Sequence, residues 1–264
     1  MNELLFVGLL ALAGAALWRA TARRGELHPL EPDDTYRHGA LVFLFGLVLQ
    51  QVLTGVLLGA GAEDIEDIGL PLLAASMAFA GVLAVVASFG LARRAFGVSL
   101  YELGVRRHVG PPAPLLALGA WMACFPLVAV ANLVNRELAP WLLDESSVAR
   151  QDYLERFLSE EGVASSGAVW LCMVVVIPVV EELIFRGALY GGLRRVMPLP
   201  AAMILSGVVF GGVHDGVAML PAATLGVLLA WLYERTGSLV VPSLAHMFQN
   251  GFTLSLASLL PESV

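Results

Sequence analysis

Long apolar windows separated by short polar stretches set the pattern of this chain. They recur near positions 4–18, 39–60, 70–92, 112–134, 166–190, 200–215, 217–233 and 239–260. The windows run well past strand length, which predicts helices. At about 1.5 Å of rise per residue, most are long enough for a hydrocarbon core of roughly 30 Å. The expected fold is therefore all-α: a polytopic membrane bundle with about eight transmembrane helices.

The polar intervals divide this bundle. Residues 1–135 hold four windows and are expected to form an N-terminal four-helix membrane scaffold. Residues 136–165 include DESSVARQDYLERFLSEEG, an acidic extramembrane connector whose pattern suits an amphipathic helix at the membrane surface. Residues 166–260 hold the other four windows and are expected to be the functional core of one membrane unit. The stretch SLYELGVRRHVG after the third window reads as a short interfacial helix with arginine anchors, and the acidic loop Glu63–Asp67 as a solvated connector.

Composition agrees with membrane residence. The 264 residues are 58% hydrophobic and only 14% charged, with a mean hydropathy of +0.79. A soluble domain carries about a quarter charged residues. The formal net charge of −7, without a basic stripe, argues against a nucleic-acid partner. Lysine is absent, and the arginines are unevenly placed. Arg19, Arg23, Arg24, Arg37, Arg93, Arg94, Arg106, Arg107, Arg194, Arg195 and Arg235 fall in alternate loops, and only Arg136, Arg150 and Arg156 in the others. The positive-inside rule puts the first set in the cytoplasm and both termini outside. The composition suits a bacterial cytoplasmic membrane. Cys124 and Cys172 lie in apolar runs without metal-ligand spacing and read as buried hydrophobes. The N-terminal run carries its charges after the apolar stretch, so it reads as a retained first span.

Polar residues within the windows carry the chemistry. The first four windows hold Gln50, Gln51 and Asn132, none catalytic in type. The last four hold Glu181, Glu182, Arg186, His214, Asp215, His246, Gln249 and Asn250. Even lenient insertion scales put about 2.5–3.5 kcal/mol on each charge in mid-membrane, so such residues mark function or pairing. Glu182 and Arg186 are four apart in the order that favours a pair, which suggests a structural ion pair. Glu181 is about 100° away around the helix and is expected to point elsewhere, an unpaired carboxylate suited to acid–base work. His214 follows Phe210 and two glycines, and His246 shares a helix face with Asn250. Glu181 and His246 both fall in the cytoplasmic half of the core when depth is counted at about 1.5 Å per residue.

Three spaced motifs stand in order on successive helices: E-E-x-x-x-R at Glu181–Arg186, F-x-x-x-H at Phe210–His214 and H-x-x-x-N at His246–Asn250. Together they resemble the CPBP group, which comprises the type II CAAX prenyl endopeptidases, the Abi-like bacteriocin-processing and immunity proteins and their bacterial relatives. The stretches FRG, WLYERTGSLVVPSLAH and ELGVRR are similar to that group as well. The resemblance implies a membrane-embedded endopeptidase acting on a membrane peptide or protein substrate. Glu181 and His214 would activate water, and His246 and Asn250 would donate to the oxyanion. Glu182, Arg186 and Phe210 would support the site. The group is often described as metalloproteases, so Glu181, His214 and His246 are also a candidate Zn²⁺ set. HExxH is absent, asparagine is a better neutral donor than zinc ligand, and metal-free water activation is the preferred expectation.

Two other readings compete. One is a fold relative that acts without proteolysis, as a scaffold or self-immunity protein. The other is a proton-coupled transporter using the same side chains as a relay, which predicts matching halves. The two halves of this chain are unlike in their polar content.

Overall fold

The computed structural model describes residues 3–22, 38–59, 70–97, 99, 113–142, 167–214 and 218–259. Among them the chain is all-helical, without strands. The helices are α1 (Glu3–Ala22), α2 (Gly39–Gly59), α3 (Leu70–Phe96), α4 (Ala113–Leu142), α5 (Gly167–Val196), α6 (Leu199–Gly212), α7 (Met219–Thr236) and α8 (Val240–Leu259). The amphipathic connector, the interfacial SLYELGVRRHVG helix, the loop Glu63–Asp67 and Asp215 lie outside the described residues.

Four helices among the described residues are long and apolar enough to cross a membrane: α2, α3, α4 and α5. That is fewer than the eight spans the windows suggest. Helix α6 has 14 residues, about 21 Å at 1.5 Å per residue, short of a ~30 Å core. Helices α7 and α8 carry Glu234 and Arg235, and His246, Gln249 and Asn250, which dilute their apolarity. On the outer faces of α2 and α3, Val48, Val56, Leu72 and Val86 are all at least 60% exposed, a belt suited to lipid rather than water.

Helix α5 is the hub. It packs against α2, α3, α6 and α8, while α4 packs against α1, α7 and α8. One apolar cluster joins α2, α3, α5 and α6 through Phe43, Ala92, Ile184, Phe185 and Phe210. Another joins α4, α7 and α8 through Leu116, Leu229 and Val241.

Helix α4 runs eight residues past its apolar window. Asn135, 2% exposed, sits on that extension and accepts the Leu220 N–H at 3.1 Å. It thereby caps an orphan donor in the first turn of α7, which has no side-chain cap of its own. At the other end of α7, Gly237 takes φ 60° and bonds back to Tyr233 O, the left-handed stop that glycine permits.

Helices α6 and α7 approach at backbone contact. A Cβ on Gly207 would meet Val227 Cγ2 and lie 2.8 Å from Ala223 O; one on Gly226 would lie 2.9 Å from Gly207 Cα. Small residues replace the missing hydrophobic drive between helices in lipid by allowing such close approach. Gly207→Leu is expected to destabilise the fold by about 1–3 kcal/mol, the usual range for overpacking. Thermal unfolding in detergent checks this, and a wild-type midpoint would show that the crossing tolerates separation.

Candidate active site

Helix α5 is not a uniform α-helix. Leu171–Val176 and Leu183–Tyr190 are π-helical and flank the α-helical segment Ile177–Glu182. π-Turns cost hydrogen-bond quality and gather at functional sites. Between the two lie Pro178, which supplies no N–H, and the adjacent carboxylates Glu181 and Glu182.

Both carboxylates meet one imidazole. His246 Nδ1 lies 3.0 Å from Glu182 Oε1, and His246 Nε2 lies 3.5 Å from Glu181 Oε2. Glu181 is therefore not the isolated carboxylate that its helical offset suggests. The offset of about 100° separates the two glutamates, but an imidazole has two edges, and a ring docked from α8 receives one carboxylate on each. The environments still differ. The Glu182 side chain is fully buried, whereas Glu181 is 18% exposed.

Arg186 lies one turn beyond Glu182. Its Nε is 3.1 Å from Glu182 Oε2, both side chains being inaccessible. The two groups are not aligned for a hydrogen bond, and the guanidinium nitrogens find no acceptor among the described residues. The distance makes this a Coulombic contact; its directional component is weak. The other face of the guanidinium is covered by Phe210, with Cζ 4.5 Å from the ring centroid, a cation–π geometry strengthened by the absence of water.

Phe210 links the remaining groups. Its fully buried ring lies 4.6 Å from the His214 ring, 5.7 Å from the His246 ring and 4.9 Å from Phe185. His214 follows the end of α6, and its Nδ1 is 2.6 Å from Phe210 O. An imidazole next to a carbonyl places its proton on that nitrogen, which leaves Nε2 as the acceptor. Among the described residues, His214 shares Phe210 with His246, and no direct contact joins it to Glu181. Asn250, one turn after His246, donates Nδ2–H to Met173 O at 2.9 Å.

Two carboxylates, two imidazoles and an arginine are thus linked through His246 and Phe210 from α5, α6 and α8, with the Asn250 carboxamide one turn further along α8. Residues 164–252 match the family model described as type II CAAX prenyl endopeptidase Rce1-like. This segment carries an Rce1-like domain. The family is one of CAAX-type endopeptidases, and the match covers about a third of the chain, from just before α5 into α8. No curated protein and no solved structure matches the chain.

The Rce1-like segment contains polar contacts that motif spacing does not reveal. Tyr190 OH donates to Glu234 Oε2 at 2.6 Å, and Arg194 Nε lies 3.1 Å from Glu234 Oε1, joining α5 to α7 at the end remote from Met173. Glu234 falls just past the apolar window 217–233, although an acid beside a buried tyrosine is a signal that could have marked it. Trp121 Nε1 donates to Gln249 Oε1 at 3.0 Å, tying α4 to the turn of α8 that holds His246 and Asn250. Gln249 Nε2 in turn lies 3.2 Å from Thr253 Oγ1.

Among the described residues, no three His, Cys, Asp or Glu side chains are grouped to hold a metal ion. His214 makes no direct contact with Glu181 or His246 among these residues, so Glu181, His214 and His246 are not gathered at one zinc position.

Proposed function

We propose that the chain is an intramembrane endopeptidase that hydrolyses a peptide bond of a membrane-associated or lipidated substrate. The observation that carries this reading is the asymmetry of the glutamates around His246. Glu182 is sealed and balanced by Arg186, while Glu181 is the accessible carboxylate across a 3.5 Å gap from Nε2. That gap is too long for a good hydrogen bond, and Glu181 remains partly exposed beside it.

In this reading Glu181 takes a proton from water as the water attacks the scissile carbonyl, with His214 Nε2 helping to orient it. The carbonyl oxygen becomes an oxyanion, held by the Nε2–H of His246, which carries a proton on both ring nitrogens in this step, and by an N–H of Asn250. Glu182 accepts from His246 Nδ1–H and fixes the orientation of the ring. The proton held by Glu181 then passes to the leaving nitrogen. The products are a carboxylic acid and an amine, which separate as carboxylate and ammonium after the acid gives its proton to the amine. The chemistry is metal-free.

We place the active site in the cytoplasmic half of a bacterial cytoplasmic membrane, within one bundle of about eight membrane-embedded helices, with both termini outside. Glu181 and His246 support this placement, since both fall in the cytoplasmic half when depth is counted at about 1.5 Å per residue. The alternatives are a non-proteolytic scaffold and a proton-coupled transporter.

The test is substrate trapping in membranes. Full-length wild type and His214→Ala are compared for co-purifying proteins and for cleaved partners. The expected result is a protein that accumulates intact on the variant and is cut by wild type, with cleavage unchanged by a chelator. No differential partner would overturn the protease reading, and cleavage lost to chelation but restored by Zn²⁺ would overturn its metal-free form.

A further inference from the structure

Helix α5 contains a carbonyl that its own backbone does not serve. In the π-helical stretch Leu171–Val176 the register shifts by one residue, and the Ile177 N–H bonds to Cys172 O instead of Met173 O. In the shifted register the next amide would serve Met173 O, but the next residue is Pro178. Proline has no N–H. Neither amide position available to Met173 O is filled, and the donor that reaches it is Asn250 Nδ2 from α8, at 2.9 Å.

This bond determines which way the carboxamide faces. A carbonyl accepts only from the nitrogen end of an asparagine, so Asn250 must turn its NH₂ towards Met173 and its oxygen away. An NH₂ group has two hydrogens. Met173 O takes one, and the second remains a donor fixed in direction. Away from water an unserved carbonyl is strongly unfavourable, which resists rotation of the amide.

We propose that Pro178 is a positioning residue for hydrolysis. By withholding an N–H from Met173 O, it makes that carbonyl the acceptor that orients Asn250, whose second N–H then serves as an oxyanion donor. The inference rests on the endopeptidase reading for its functional half and on α5 geometry alone for its structural half. It gives a proline three residues before Glu181 a role beyond bending the helix.

The test is a double-mutant cycle on the full-length protein, read in two ways. Pro178→Ala restores an N–H and releases the amide. Using the partner found by trapping as substrate, Asn250→Ala should lower kcat by about 10²–10³-fold, the usual loss of an oxyanion donor. Pro178→Ala should lower kcat by up to about 100-fold through misplacement, with KM little changed. The double variant should be no slower than Asn250→Ala. Wild-type kcat in Pro178→Ala, or losses that multiply in the double variant, would overturn the proposal.

Thermal unfolding gives the second reading. Asn250→Ala should lower the midpoint by about 2–4 °C in the wild-type background. In the Pro178→Ala background the drop should be less than half as large, because the new N–H serves the carbonyl. Equal shifts in both backgrounds would overturn the proposal whatever the kinetics show. Coupled shifts without any wild-type cleavage would support the Pro178–Asn250 link and sink the endopeptidase reading instead. If Asn250→Ala fails to fold, Asn250→Leu, closer in shape and lacking a donor, completes the cycle.

Discussion

Glu181→Gln is expected to lower cleavage of the trapped substrate by about 10²–10⁴-fold, the span a general base usually contributes, while the unfolding midpoint stays near wild type. The side chain is 18% exposed, and among the described residues its contact with His246 Nε2 is a loose one, at 3.5 Å. An amide of the same shape therefore loses proton-accepting ability without opening a cavity. Glu182→Gln should behave differently. Glu182 is fully buried between Arg186 and His246, so neutralising it strands the arginine and costs stability as well as turnover. Adjacent residues with opposite signatures, one kinetic and one thermodynamic, are the pattern to find. Retained cleavage in Glu181→Gln would remove the proposed base and favour a scaffold; equal loss of stability in both variants would show that their environments do not differ as the geometry implies.

How much of this is legible in the sequence depends on what each feature rests on. Helix positions rest on apolar runs, which local composition carries, and the windows and the described helices agree in number and order. The extension of α4 is not visible in hydropathy, because it serves a tertiary purpose: Asn135 reaches the amide of Leu220, 85 positions away. The offset of Glu181 from Glu182 is local and readable. The shared imidazole between them is not, since the docking of α8 against α5 brings it there. Phe210 is readable as a motif residue, but its contact with Arg186, His214 and His246 through one ring requires three helices to be in place. The π-helical register of α5 leaves no sequence signal except Pro178, and that residue alone predicts a bend just as well.

The Rce1-like match leaves α1 to α4 outside it, yet α4 is coupled to the matched helices. Trp121 holds Gln249, between His246 and Asn250 in sequence, and packs in a ring cluster with Phe125, Phe248 and Phe252. Asn135 caps the start of α7, shortly after His214 in the sequence. The N-terminal half thus acts as a brace with specific polar contacts, so the matched segment on its own would lack a cap and an anchor.

Arg186→Leu is expected to have the largest effect on the fold, about 3–5 kcal/mol, the cost of leaving one half of a buried ion pair uncompensated. Glu182 would keep its negative charge out of water with only His246 to balance it, and Phe210 would lose the cation on its face. Arg186→Lys should recover only part of this. A lysine keeps the charge but is a compact, strongly hydrated ammonium, poorly suited to lying flat against a ring away from water. The decisive variant is Glu182→Gln/Arg186→Leu, which removes both charges. If the pair stabilises mainly by mutual neutralisation, the double variant should be more stable than Arg186→Leu alone, although His246 has lost its carboxylate partner. Unfolding titrations in detergent measure all four corners of this cycle. A double variant as unstable as the sum of the single ones would show that Arg186 acts through its packing on Phe210, not through Glu182. In either case cleavage should stay low in the double variant, because His246 would no longer be oriented by a carboxylate at Nδ1.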